Sequence, residues 1–322
     1  MLDYTIFGES HGPAVGVLVT GAAPGLPVDR EIIARELERR APGGPLATAR
    51  HEPDRLHILS GVYQGFTTGD PICLVLENRD TRSGDYEALR NKPRPGHADY
   101  AAWVRSGGHN DPRGGGAYSG RLTAPLVAAG AMVNAWLKEQ DIELKAQVID
   151  ENALRQQAAE AKADGDSVGG EIACTVTGLP AGLGGPGWRE AVESELARHL
   201  FAIPAVKALG FGDGAALAHM RGSRANDPLR TDGTCVRTVT NHNGGINGGI
   251  TNGMPLVVRM ALRPTPSIAC EQPSVDLVTM EETPLRINGR HDPCLAPRAI
   301  PVMEAALACC VLDAMLDSAA TI

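Results

Sequence analysis

Thirty-eight glycines and 23 prolines punctuate this 322-residue chain, and their placement limits it to short elements joined by tightly specified loops. Glycine lowers the cost of left-handed backbone, and proline removes a backbone donor, so neither belongs in the middle of a helix or strand. They follow no three-residue period, which excludes a collagen-like helix. They gather instead in stretches such as 241–253, NHNGGINGGITNG, and 113–116, RGGG. Asn-Gly pairs begin at 243, 247, 252 and 288, each a tight-turn signal. Between these stretches the hydrophobic pattern predicts strands over 13–20, 57–61, 70–76, 142–150, 171–178 and 254–262. It predicts helices over 30–40, 119–137, 152–163, 188–201 and 301–315, the last opened by Pro301. Residues 78–116 read as loop. Strands and helices do not alternate as regular βα units, so the pattern favours an α+β fold with antiparallel sheets.

Composition removes several functional classes. Only 4% of residues are aromatic and the net charge is −8, which disfavours a nucleic-acid surface. No uninterrupted apolar run of about 18 residues marks a membrane span, and residues 1–4 carry no basic, apolar signal pattern. Seven cysteines, at 73, 174, 235, 270, 294, 309 and 310, form no CxxC pair. A zinc ribbon and a disulfide framework are therefore both disfavoured, no metal site is expected, and the reduced thiols suit a cytoplasmic protein.

Three motifs imitate known sites. Residues 8–12, GESHG, match G-x-S-x-G, but a nucleophile elbow needs a preceding strand deep in a sheet and only seven residues come before it. Residues 182–187, GLGGPG, match G-x-G-x-x-G, yet Pro186 removes an amide that a phosphate would need. Residues 164–166, DGD, start like a calcium loop and fail at Val168 and Thr175.

A better signal is the set of basic residues beside glycines: Arg39-Arg40, Arg94-Pro95-Gly96-His97, Arg113-Gly114-Gly115-Gly116 and Arg290-His291-Asp292, with Arg121 and Arg263. Arginine forks grip phosphate and carboxylate at two points, and glycine lets backbone amides approach an anion. An acidic chain that places its cations this way reads as an anion-binding protein. His11, His97 and Asp292 are the candidates for proton transfer. His51, His199 and His219 read as structural or surface histidines.

These residues lie in motifs that resemble the chorismate synthase family along nearly the whole chain. They include GESHGPAVG (8–16), RRAPGG (39–44), ILSGVYQGFTTGDPI (58–72), RPGHADY (94–100), RGGGAYSGRLTAPLVAAG (113–130), NGGINGGITNGMPL (243–256), RPTPSI (263–268) and GRHDPCLAPRAIPV (289–302). The resemblance implies one domain over 1–322, a β-α-β sandwich with antiparallel sheets around helices. It implies a homotetramer and the last step of the shikimate pathway. That step eliminates phosphate and a C6 hydrogen from 5-enolpyruvylshikimate 3-phosphate in an anti-1,4 sense, giving chorismate, with reduced FMN (FMNH2) required and no net redox change.

By motif, His11 resembles the acid for the departing phosphate, His97 the residue that protonates reduced flavin, and Asp292 the group that assists proton removal. Ser10, Arg39, Arg40, Arg50 and Arg121 would meet the substrate, the sequence leaving open which of Arg39 and Arg40 points inward. Ser119, Ala205, Gly248, Arg263, Pro264, Thr265, Pro266, Ser267 and Arg290 would meet the flavin. NADPH is a candidate reductant, and an external flavin reductase is favoured because no extra reductase segment is visible. Ala117 and Tyr118 stand where the family has arginine and serine. Arg263 replaces a lysine.

Overall fold

The computed structural model describes residues 2–43, 54–79, 90–185, 187–287 and 292–319. The chain opens with β1 (Asp3–Gly8) and β2 (Ala14–Thr20), followed by helix α1 (Arg30–Arg40). Asp29 caps α1, its carboxylate accepting from the amides of Glu31 and Ile32 at 2.7 and 3.2 Å. Next come β3 (Leu56–Ser60), the small hairpin of β4 (Val62–Tyr63) and β5 (Phe66–Thr67), and β6 (Ile72–Glu77). The first sheet has the order β1-β2-β6-β3, all antiparallel.

The expected loop over 78–116 contains an eight-residue helix, α2 (Asp99–Ser106), ended by Gly107 in the left-handed region at φ 62°. The helix expected from 119 begins later. Residues 120–122 form a 3-10 turn capped by Ser119, and α3 runs over Thr123–Lys138. The cause lies upstream, where Gly114, Gly115 and Gly116 take φ of 59°, 85° and 53° and turn the chain sharply into the helix.

Beyond α3 lie β7 (Glu143–Val148), α4 (Glu151–Ala163), β8 (Gly170–Thr177), β9 (Ala181–Gly184), α5 (Val192–Phe201) and β10 (Val206–Phe211). A single turn, α6 (Gly222–Ala225), leads to the hairpin of β11 (Leu229–Thr231) and β12 (Val236–Thr238). The glycine-rich stretch folds as β13 (Ile246–Asn247) and β14 (Ile250–Asn252), with Gly248 and Gly249 as the two turn residues. β15 (Leu256–Leu262) precedes a ribbon of β16 (Gln272–Asp276) and β17 (Glu281–Leu285). The second sheet has the order β10-β15-β8-β7, again antiparallel.

The last helix, α7, spans Ala296–Ala319. It starts five residues before the expected position, because Pro297 supplies the first-turn proline and Pro301 falls inside the helix. Its length and apolar composition would suit a membrane span, but 67% of its most apolar 18-residue stretch is buried within the protein. Met303, Ala306, Leu307 and Ala308 are fully buried.

The architecture is a sandwich. α1 and α3 lie against each other with α3 on the first sheet, and α5 and α7 lie against the second. α3 and α7 cross at the centre, where a Cβ on Gly130 would fall 2.3 Å from both Cα and Cβ of Ala305. Only glycine permits that approach. The buried apolar side chains form one cluster spanning both sheets and the helices between them. The cavity described next opens at the N-terminal ends of α3 and α7.

Candidate functional site

The loop between β1 and β2 carries Ser10 and His11. Asn78, just past β6, clamps it. Asn78 Nδ2 donates to the carbonyls of Glu9 and Gly12, each at 2.9 Å, and its own amide donates to Pro13 at 3.0 Å. The Ser10 amide donates to the Gly116 carbonyl at 3.2 Å. The His11 ring rests on Gly114, where a Cβ would come within 2.4 Å of Cδ2 and 2.6 Å of Nε2. The glycine run is thus what gives the imidazole its seat. β1 is an edge strand, so GESHG is not an elbow set deep in a sheet.

Beside this loop lies a cavity of about 270 Å³ whose wall includes Ser10, Arg40, Asp54, Asn78, Ser119, Arg121 and Arg298, with Ile203, Leu262 and Val302 as apolar lining. Arg40 is buried, and among the described residues its Nε has no hydrogen-bond partner. Burial lowers its pKa to about 10; Asp54 offsets part of the effect, and Arg298 and Arg121 add to it. The guanidinium is therefore still charged at neutral pH. Arg121 donates from Nε to Asn78 Oδ1 at 3.0 Å, from Nη2 to the Glu77 carbonyl at 3.1 Å, and from Nη1 to Asp54. Arg298 donates from Nε to the Arg40 carbonyl at 3.1 Å and from Nη1 to buried Asp292.

A second cluster joins distant loops. His97 Nε2 and Ser267 Oγ are 2.7 Å apart. Arg263 donates from Nη1 to the Gly96 carbonyl at 2.8 Å, and its amide donates to Ala205 at 2.9 Å. Ala205 is held at φ 74°, a strained position for a residue with a Cβ. Thr265 accepts at its carbonyl from Ser167 Oγ at 2.7 Å, while its Oγ1 is buried without a partner among the described residues. Arg94 forks onto Asp99, Nε to Oδ2 at 2.7 Å and Nη2 to Oδ1 at 2.8 Å. Burial alone would raise the Asp99 carboxyl, but hydrogen bonds and charge from Arg94, with His97 assisting, hold it below the usual range.

A model of the family described as chorismate synthase matches residues 2–152 and 150–316. The chain belongs to the chorismate synthase family. It is 46% identical to the chorismate synthase of Thermococcus kodakarensis, the match covering 98% of this chain and 96% of that one. Against the chorismate synthase of Aeropyrum pernix it is 47% identical over 97% and 90% of the two chains. A crystal structure of a chorismate synthase superposes with a TM-score of 0.77 at 27% identity, covering 98% of this chain and 92% of the other. The α+β architecture is thus that of a chorismate synthase, and the chain is an enzyme of that lyase family, which serves the shikimate pathway.

Set against this family's expected site, the residues sort into groups. Ser10, Arg40, Ser119 and Arg121 line one cavity. Asp292 reaches its edge through Arg298, and His97, Ala205, Arg263, Thr265 and Ser267 are linked by hydrogen bonds or adjacency. Pro266 packs beside Gly96, and Pro264 lies near Gly169. Arg39 does not line this cavity. It turns away and donates from Nη1 to Glu304 Oε2 at 2.9 Å and to Glu36, because neighbours on a helix point about 100° apart. Arg94 and Arg113 are committed to Asp99 and Asp111. Gly248 sits exposed at the tip of the β13–β14 hairpin, with nothing within 4 Å of where a Cβ would be. Arg50, His51 and Arg290 lie outside the described residues.

Sequence reasoning missed Asn78, Asp54 and Arg298. Each is a polar residue at or beside the end of an element, which is the signal that could have found them. Gly184 packs against the Gly249 carbonyl, 2.6 Å from its would-be Cβ, so that glycine motif is structural. His199 bonds the Tyr4 hydroxyl at 2.7 Å, also a structural role. Among the described residues no group of three or more His, Cys, Asp or Glu side chains could hold a metal.

Proposed function

We propose that this chain, working as one domain, converts 5-enolpyruvylshikimate 3-phosphate to chorismate by anti-1,4 elimination of phosphate. The observation that carries this reading is the convergence of Arg40, Arg121 and Arg298 on one cavity, with the buried Nε of Arg40 lacking an acceptor among the described residues. A substrate with one phosphate and two carboxylates brings a charge of about −4 near neutral pH, and such a wall meets it.

The residues on the 263–267 loop fit a flavin cofactor. The buried Thr265 Oγ1, unpartnered among the described residues, asks for an acceptor or donor, and the neighbouring His97–Ser267 pair supplies a titratable edge. Ser119, Ala205, Arg263, Pro264, Thr265, Pro266, Ser267 and, outside the described residues, Arg290 would hold it. When bound, reduced FMN lends electron density to the allylic system and recovers it, so the reaction has no net redox change.

The chain's own residues carry the protons. His11, seated on Gly114 beside Ser10, holds a proton for the departing phosphate oxygen. His97, oriented by Ser267 Oγ, holds a proton at the cofactor's edge. Asp292, held by Arg298, passes a proton at its carboxylate. Arg40 and Arg121 orient the anionic groups, Ile203, Leu262 and Val302 exclude water from one side of the cavity, and Arg50 would add a further cation. The protein works as a cytoplasmic homotetramer that draws reduced FMN from an external reductase rather than reducing it with NADPH.

Anaerobic incubation with chemically reduced FMN and 5-enolpyruvylshikimate 3-phosphate tests the reading. Chorismate and inorganic phosphate in equal amounts are expected, with none from oxidised FMN plus NADPH under air. Absence of chorismate in the reduced sample would overturn the assignment. Light scattering that returns a monomer would overturn the tetramer.

A further inference from the structure

Arg121 is held twice by neutral acceptors, Asn78 Oδ1 at 3.0 Å and the Glu77 carbonyl at 3.1 Å. Those two bonds, on Nε and Nη2, already set the plane of the guanidinium. The third partner, Asp54 on Nη1, adds little geometry and a full negative charge. Its side chain is only 6% exposed and stands in the wall of the anion cavity, where its charge also acts on Arg40. Burying a carboxylate in a site for a polyanion works against binding, so it calls for a reason.

We propose that Asp54 is an internal competitor for the anion site, a positioning residue whose charge keeps Arg121 from retaining inorganic phosphate. The inference rests on the reaction proposed above, in which one anionic substrate becomes two anionic products that must both leave. Arg298 is balanced in the same way by Asp292, so among the described residues Arg40 is the one of the three without a carboxylate ion-pair partner. Arg40 supplies the grip, and the Asp54–Arg121 pair yields to the substrate and re-forms as phosphate departs.

The test uses inorganic phosphate as the probe, titrated calorimetrically into the full-length protein. Asp54→Asn retains an oxygen for Arg121 and removes the charge. Phosphate should bind it about tenfold tighter than wild type, since a unit charge a few ångströms away in a partly buried site is worth that much. Phosphate should become a correspondingly stronger product inhibitor, and kcat should fall while KM does not rise. Asp54→Glu, which restores the charge, should bind phosphate like wild type. Asp54→Ser serves in place of the asparagine variant should that one fail to fold, with the same expectation. Unchanged or weaker phosphate binding in the folded, charge-free variant overturns the inference, as does equal tightening in Asp54→Glu. A wild type that binds phosphate yet forms no chorismate would instead refute the proposed reaction, so the two failures are distinguishable.

Discussion

Asn78 offers the sharpest test of how the site is held. Asn78→Asp is nearly isosteric. It keeps the oxygen that Arg121 Nε donates to, but it replaces Nδ2, which donates to the Glu9 and Gly12 carbonyls at 2.9 Å each. Two hydrogen bonds become two oxygen–oxygen repulsions. Each of the two lost bonds is worth about 1 kcal/mol, and an unsatisfied polar group adds about 1–3 kcal/mol, so the loop from Glu9 to Pro13 should loosen by about 3–5 kcal/mol. That loop carries Ser10 and His11. A displacement of about 1 Å at a catalytic group costs on the order of 100-fold, so kcat for chorismate formation should fall by roughly that factor. The new carboxylate also stands against Arg121 in the anion cavity, so KM should rise as well, but the loss should not be confined to it. The assay is anaerobic turnover with reduced FMN, read together with urea unfolding. A variant with wild-type kcat would refute the clamp, and so would one whose whole loss lies in KM.

His11→Ala should lower turnover by about 10²- to 10⁴-fold, the range for loss of a general acid, with Ser10→Ala much milder; the reverse order in steady-state kinetics would reject the assignment. Gly130→Ala should destabilise the fold in urea by about 1–3 kcal/mol through forced separation of α3 and α7, exceeding the gain of about 1 kcal/mol in helix propensity; equal or greater stability would refute the close crossing. Asp99 titrates below its unfolded value, so its contribution is fully present above about pH 4 and disappears as pH falls through the folded value. Asp99→Asn should therefore show a flatter loss of stability than wild type on acidification below that point, measured by urea unfolding across pH; parallel curves would contradict the shift.

The elements that were legible in the sequence are those that bury one clean face. β6 alternates buried and half-buried along its length, β15 does the same, and α1 announces itself with Asp29 and its basic last turn. β1 was missed because it is an edge strand with no fully buried residue, and its Phe7 is exposed. The β16–β17 ribbon was missed because Pro273 faces Pro284 across it, a pairing that reads as loop. α2 was hidden among glycines and prolines, with Ala102 as its one buried residue. The motif residues reached the right neighbourhood because their spacing is carried by the chain itself. The choice between Arg39 and Arg40 depends on which way α1 is rolled against α7, the partners of Arg121 come from the end of β6 and the segment before β3, and Arg298 joins the end of α1 to Asp292. Tertiary placement decides these, and local pattern does not encode it.

The cavity lies at the first turns of both central helices: Thr123 opens α3 and lines it, and Ala299 and Val302 line it from the start of α7. Peptide dipoles therefore place about half a positive charge at each of these ends. Unlike the arginines, this charge has no pKa and cannot be removed by substituting a side chain. Loss of any one arginine should weaken anion binding in steps rather than abolish it. The residual affinity belongs to the backbone, and it persists at any pH at which the two helices remain folded.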